Sequence, residues 1–188
     1  LACEATVLLY DGSPFHPSVE TLFDHTAREG VTCLRLTPNY IETVSKAGLE
    51  PARSHDLSRL KCITVGGAPF APAGYEYVYS KIKADVQLAS PAGGTDPLGA
   101  LVTGNPISPV WPGEIQCRGL GLKIEVFSED AKPLVGEPGE LVCTMPFPSM
   151  PLGFWADASG ERYKAAYFGV FSNVWRQGDL AELTSRVG

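Results

Sequence analysis

Histidine is scarce in this chain of 188 residues: His16, His25 and His55 are the only three, and none falls in an H-E-x-x-H arrangement. The five cysteines include no C-x-x-C pair. Both absences argue against a structural or catalytic zinc centre. Cys33, Cys62 and Cys143 lie inside apolar runs and read as small core residues, a usage that suits a reducing cytosol. No apolar run reaches the ~18 residues that a membrane helix needs, and no signal peptide is visible. Clusters of Lys and Arg are missing too. With 15 basic and 21 acidic residues the net charge is −6, so nucleic acid and anionic membranes are not expected partners. There is no G-x-x-x-x-G-K-S/T phosphate loop and no G-x-S-x-G nucleophile elbow. "RGLGLKI" lacks the third glycine of a dinucleotide fingerprint. An apolar content of 44% with 19% charged residues describes a soluble globule large enough to do without staples.

What is present divides near residue 105. In the first part, residues 1–105, short apolar runs alternate with helical periods. "ATVLLY" (5–10), "VTCLRL" (31–36), "LKCITV" (60–65) and "ADVQLAS" (84–90) read as strands buried on both faces. Between them, Val19, Leu22, Phe23 and Thr26 recur at helical spacing, with Pro17 suited to the first turn and Gly30 to the stop. Thr37-Pro38 reads as an N-cap and a first-turn proline. Pro72 opens a third helix with the stripe Tyr75, Val78, Tyr79 and Ile82. Strand–helix alternation predicts a parallel sheet, with ligands outside the carboxyl ends of its strands. Asp11, Thr37, "GGAP" (66–69) and "SPAGGTDP" (90–97) are then expected along one edge.

In residues 106–188 the helical period disappears. "EIQCR", "LKIEVFS" and "ELVCTM" are strand-like and separated by Gly, Pro and acidic turns. "VWRQ" and "LAELT" flank Gly178-Asp179, which reads as a hairpin break. A small antiparallel sheet or barrel is expected, after a boundary marked by the three prolines of "GNPISPVWP".

Three stretches carry candidate chemistry, and on local grounds each is equally a turn. In "GGAP", the missing side chains would let a flat ring lie on the backbone. In "GGTD", glycine amides can converge on an anion, Thr95 adds a hydroxyl and Asp96 a hard oxygen for Mg2+. At Gly178-Asp179, an ionised carboxylate could accept two ribose hydroxyls. Together they supply an adenine platform, a phosphate and Mg2+ site and a ribose clamp: a site for ATP or AMP without a phosphate loop.

"SPAGGTD", "GEIQCRGLGLKIEVFSEDAKPLVGEPGELVCTMPFPSMPLGFW" and "VWRQGD", with "LLYDGSPFHP" and "YEYVYSKIKADVQLAS", closely resemble the acyl-adenylate-forming superfamily in its acid–CoA ligase branch. The resemblance covers essentially the whole chain. It implies that Gly67, Ala68 and Pro69 pack on adenine and that Gly93 and Gly94 line the acyl pocket and nucleotide. It further implies that Thr95 contacts the α-phosphate, Asp96 binds Mg2+ and Asp179 binds the ribose. The implied substrates are ATP, coenzyme A and a short acid, with acetoacetate expected and acetate or propionate as alternatives. A non-catalytic nucleotide-binding module of the same fold is the other reading. The family's glycine-rich phosphate loop would lie before this chain, and its lysine-bearing C-terminal domain after it. The ends at Leu1 and Gly188 therefore read as cut, the other partners as the remaining segments of a parent chain, and the isolated piece as inactive. Two prolines depart from the family pattern: Pro91 stands where an isoleucine-like residue is usual and Pro97 where another aliphatic is.

Overall fold

The computed structural model describes residues 4–186; Leu1 and Gly188, read above as cut ends, lie outside them. Three short strands, β1 (Cys33–Leu36), β2 (Cys62–Val65) and β3 (Gln87–Ala89), form a parallel sheet in the order β1-β2-β3. Leu36 pairs with Val65 and Thr64 with Ala89, so the three carboxyl ends lie on one edge, as the alternating pattern predicts.

The intervening helices follow from their ends. Helix α1 (Thr21–Glu29) stops at Gly30. It starts four residues after Pro17, which lies outside its first turn. In α2 (Pro38–Lys46) the Thr37 side chain accepts the Tyr40 N–H at 3.2 Å, and Pro38 sits where no intrahelical donor is needed. A one-turn helix, α3 (Pro51–Ser54), precedes β2. Helix α4 (Pro72–Tyr77) runs into a π-helical turn over Val78–Ile82. The extra residue in that turn does not break the expected stripe: Tyr75, Val78 and Ile82 are all buried, with Tyr79 partly so.

These faces close one core around Phe23, Tyr40, Ile41, Leu60, Ile63 and Leu88. Each such side chain contributes roughly 1.5–3 kcal/mol on leaving water. Two tyrosines reach out of it. The Tyr40 hydroxyl donates to the Val19 carbonyl and the Tyr77 hydroxyl to the Leu49 carbonyl, each at 2.8 Å, tying the loops to the helices.

One expected strand is absent. Residues 5–10, "ATVLLY", pair with no other strand, and Val7, Leu8 and Leu9 are exposed. An apolar run meets the pattern of a strand, but a strand also requires a ladder partner, and none adjoins this run among the described residues. Asp11 is consequently not at a strand end.

The second half holds two antiparallel sheets. Strands β4 (Ala92–Gly94), β5 (Gly99–Thr103) and β6 (Cys117–Arg118) form one, with β5 and β6 pairing across the proline-rich loop. Strands β7 (Ile124–Phe127), β8 (Pro138–Cys143) and β9 (Trp175–Glu182) form the other. Each is an open three-stranded sheet, so the barrel alternative is corrected: the described residues contain no closed barrel. A fifth helix, α5 (Glu161–Phe168), appears where no helical period was read. The Asp157 carboxylate accepts the Arg162 and Tyr163 N–H groups at 3.4 and 3.0 Å and starts it. Its Tyr163, Tyr167 and Phe168 pack around the fully buried Trp175, within the core of Leu101, Ile124, Leu141 and Phe147.

Candidate functional site

The edge of the parallel sheet opens into a cavity of about 1550 Å3. That exceeds the ~300–1,000 Å3 of drug-sized pockets. Its floor follows directly from the parallel register. The Gly66 N–H donates to the Leu36 carbonyl at 3.2 Å, continuing the β1–β2 ladder by one residue before the chain turns. Beyond it, Gly67, Ala68 and Pro69 are exposed and line the cavity. Gly67 has φ +97, and a Cβ there would meet nothing within 4 Å. The position therefore needs glycine for its backbone, and it leaves a bare peptide surface facing the cavity.

From the end of β3, Ser90 and Pro91 also line the cavity. The "GGTDPLG" stretch is not a loop but a hairpin. Gly93 opposes Ala100 and Gly94 opposes Gly99, and the Leu98 N–H donates to the Thr95 carbonyl at 3.1 Å. Pro97 is buried within this turn. Gly93 is fixed by close approach: an added Cβ would come within 2.8 Å of Ala100 Cα. Gly93, Gly94 and Thr95 all line the cavity, on the wall next to "GGAP".

Asp96 does not. Its carboxylate accepts a hydrogen bond from the Tyr167 hydroxyl on α5, outside the cavity lining. The Tyr167 ring lies flat on Trp175, 3.7 Å between centroids and 11° from parallel. Burial pushes the Tyr167 hydroxyl up to about 12, and the Asp96 bond and charge add to it. At neutral pH it keeps its proton and is the donor of this hydrogen bond.

Strand β9 supplies the opposite wall. The expected hairpin at Gly178-Asp179 is corrected: Trp175–Glu182 is one strand interrupted by a bulge. On β8, Glu140 pairs with Leu180 and Val142 with Arg176, so Leu141 alone faces Gln177, Gly178 and Asp179. Gly178 has φ +90. Its N–H, diverted from the ladder, donates to Glu140 Oε1 at 2.7 Å, and Arg176 Nε donates to Glu140 Oε2 at 2.9 Å. Bulges of this kind re-aim a side chain, and Asp179 is exposed on the cavity wall. Gln177 joins the two walls: its amide accepts from Trp175 Nε1 at 3.0 Å and donates to the Gly93 carbonyl at 3.5 Å.

The structure thus gathers seven of the eight singled-out residues around one cavity and leaves Asp96 beside it. Glu140, Gln177 and Tyr167 were missed. Gln177 adjoins a motif that had been noticed, and Tyr163 and Tyr167 stand at i, i+4, so both left a trace. Nothing near Glu140 in sequence indicates its partners 36 and 38 residues away. No group of three or more potential metal ligands occurs among the described residues.

A parallel sheet with a glycine-lined edge and two antiparallel sheets beyond it is consistent with the fold class of the acyl-adenylate-forming enzymes. A solved acetoacetyl-CoA synthetase from Streptomyces lividans superimposes with a TM-score of 0.89 over 95% of this chain, at 40% identity. The sequence sharpens that class. Along its full length the chain is homologous to acetoacetyl-CoA synthetases: it is 53% identical to the Rhizobium meliloti (strain 1021) enzyme and 42% identical to those of Xenopus tropicalis and Gallus gallus. It spans 29% and 28% of the length of these relatives and 28% of the Streptomyces chain. No protein-family model matches the chain.

Proposed function

We propose that this chain forms the nucleotide-binding part of an ATP-dependent acid–CoA ligase acting on acetoacetate. The overall reaction converts acetoacetate, ATP and coenzyme A to acetoacetyl-CoA, AMP and pyrophosphate. The observation that carries the reading is the convergence of Gly67–Pro69, Gly93–Thr95 and Asp179 on one cavity, in a chain homologous to acetoacetyl-CoA synthetases throughout.

In the first half-reaction the acid's carboxylate oxygen attacks the α-phosphorus and the bond to pyrophosphate breaks, giving acetoacetyl-AMP. In the second the coenzyme A thiol loses its proton, attacks the acyl carbon and expels AMP. The chain's residues bind and orient. The bare peptides of Gly67 to Pro69 receive the adenine ring. The Thr95 hydroxyl donates to an α-phosphate oxygen, on which charge accumulates in the transition state. Asp179 accepts the ribose hydroxyls, fixing the α-phosphorus along the hairpin wall. Mg2+ carried in with the nucleotide would neutralise charge on the phosphates beside Thr95, and Asp96 would reach it only on release from the Tyr167 hydroxyl. Gly93 and Gly94 line the part of the cavity that the acyl group would enter.

The same reading divides the chain near residue 105 into an α/β nucleotide and acyl-binding part and a β part. It places the protein in the cytosol, in line with four free thiols among the described residues. No helix among those residues is long and apolar enough to cross a membrane. Its partners are small molecules and further segments of a longer chain.

The test is product analysis on the full-length protein containing this chain. AMP, pyrophosphate and acetoacetyl-CoA should form in equal amounts from acetoacetate. Hydrolysis of ATP without acyl-CoA, or release of ADP, would refute the reading.

A further inference from the structure

We infer that Glu140 is the positioning residue for Asp179: it holds the β9 bulge in the one conformation that presents the Asp179 carboxylate to the nucleotide ribose. The inference rests on the ribose assignment of Asp179 above and names the residue that makes it work.

Arg176 and Leu180 are four positions apart, yet their partners on β8, Val142 and Glu140, are two apart. The two surplus residues must leave the ladder, and their backbone groups must find other partners. One carboxylate serves both sides of the interruption. Glu140 Oε1 takes the Gly178 N–H at 2.7 Å, and Oε2 takes Arg176 Nε at 2.9 Å. The Glu140 side chain is 19% exposed, so these charge-assisted bonds are partly shielded from water. Gln177, between them, is held by Trp175 on its own strand and by the Gly93 carbonyl across the cavity. Residues 176, 177 and 178 are each anchored through a different group, and Asp179 is the next residue along. Its own carboxylate makes no hydrogen bond among the described residues. Its direction is therefore set by the backbone before it, and glycine at 178, with φ +90, is a backbone that would wander without its anchor.

Glu140 touches no substrate in this scheme and acts only through Asp179. Removing it should therefore weaken what Asp179 does and nothing else. The experiment is pyrophosphate exchange by the full-length protein with ATP and with 2′,3′-dideoxy-ATP, which lacks both ribose hydroxyls. Glu140→Ala should raise the KM for ATP about tenfold, the size expected for losing a charge-assisted hydrogen bond, with kcat little changed. Its KM for the dideoxy nucleotide should barely move. Glu140→Gln, which keeps the volume and one acceptor, should fall between and serves if the alanine variant does not fold. In an Asp179→Ala background Glu140→Ala should add nothing. If Glu140→Ala, or Glu140→Gln in its stead, raises both KM values alike, or adds its full effect to Asp179→Ala, Glu140 is a general fold residue and the inference fails. If Asp179→Ala itself leaves the preference for ATP over the dideoxy nucleotide unchanged, the ribose assignment fails and this inference with it.

Discussion

Asp179 contributes to the proposed nucleotide contact without supporting the fold, since it is exposed at the end of a bulge. Asp179→Ala is predicted to raise the KM for ATP by about 10–100-fold, as for a lost charge-assisted hydrogen bond. Stability should stay within about 0.5 kcal/mol of the parent, as for other surface changes. Urea titration and steady-state kinetics on the same preparation separate the two effects. Tyr167 makes a different prediction. Its hydroxyl ionises at about 12 in the folded chain, chiefly through burial, against an ordinary value of 10.0. As pH rises the unfolded chain therefore gives up this proton first. The stability Tyr167 contributes is complete below pH 10 and is lost as the pH climbs from about 10 to about 12. Tyr167→Phe should shallow the loss of stability in that window, followed by denaturant midpoints at several pH values. Tyr77, pushed by burial to about 12 as well, continues to titrate in both proteins.

At the scale of elements, β9 and α5 depend on one side chain. Trp175 is fully buried and stacks on Tyr167, with Tyr163, Phe168 and Phe147 around it. Trp175→Ala is predicted to cost roughly 3–5 kcal/mol, as for a large aromatic removed from a core, and to free α5 from β9. Equilibrium unfolding and amide exchange over residues 161–168 would show both. These are also the elements the sequence concealed. The three parallel strands and their helices are legible because short apolar runs alternate with helical periods, although β1 and β2 fully bury only one face. "ATVLLY" writes the same run without a partner, so its apolarity was read correctly and its pairing was not. In α5 the inward side is three half-buried aromatics between Gly160 and Gly169, too short a stripe to register. The Gly178-Asp179 hairpin was misread because Gly-Asp is turn chemistry locally. What makes it a bulge is Glu140, far away in the chain. The glycine-rich candidates, by contrast, were legible because each directly follows a strand, and a parallel sheet brings such ends together whatever the detail of the turns.

For the whole molecule, the account rests on an assembly of weak local features. A Gly-Gly-Ala-Pro turn, a tight hairpin and a bulge would each be unremarkable alone. Around one cavity, in a fold shared with a solved acetoacetyl-CoA synthetase, they form the walls of the proposed adenylate site. The two prolines expected to depart from the family pattern lie at this cavity: Pro91 lines it, and Pro97 is buried in the hairpin turn. Both stiffen the segment proposed to face the acid, so the choice of acid is the part of the proposal to test first. Acid-dependent exchange of pyrophosphate into ATP, measured on the full-length protein across acetate, propionate, acetoacetate and butyrate, addresses it most directly. The account predicts exchange that requires an acid and is fastest with acetoacetate by kcat/KM. Exchange favouring acetate or propionate would contradict the acetoacetate assignment, and no exchange with any acid would contradict the adenylate site itself.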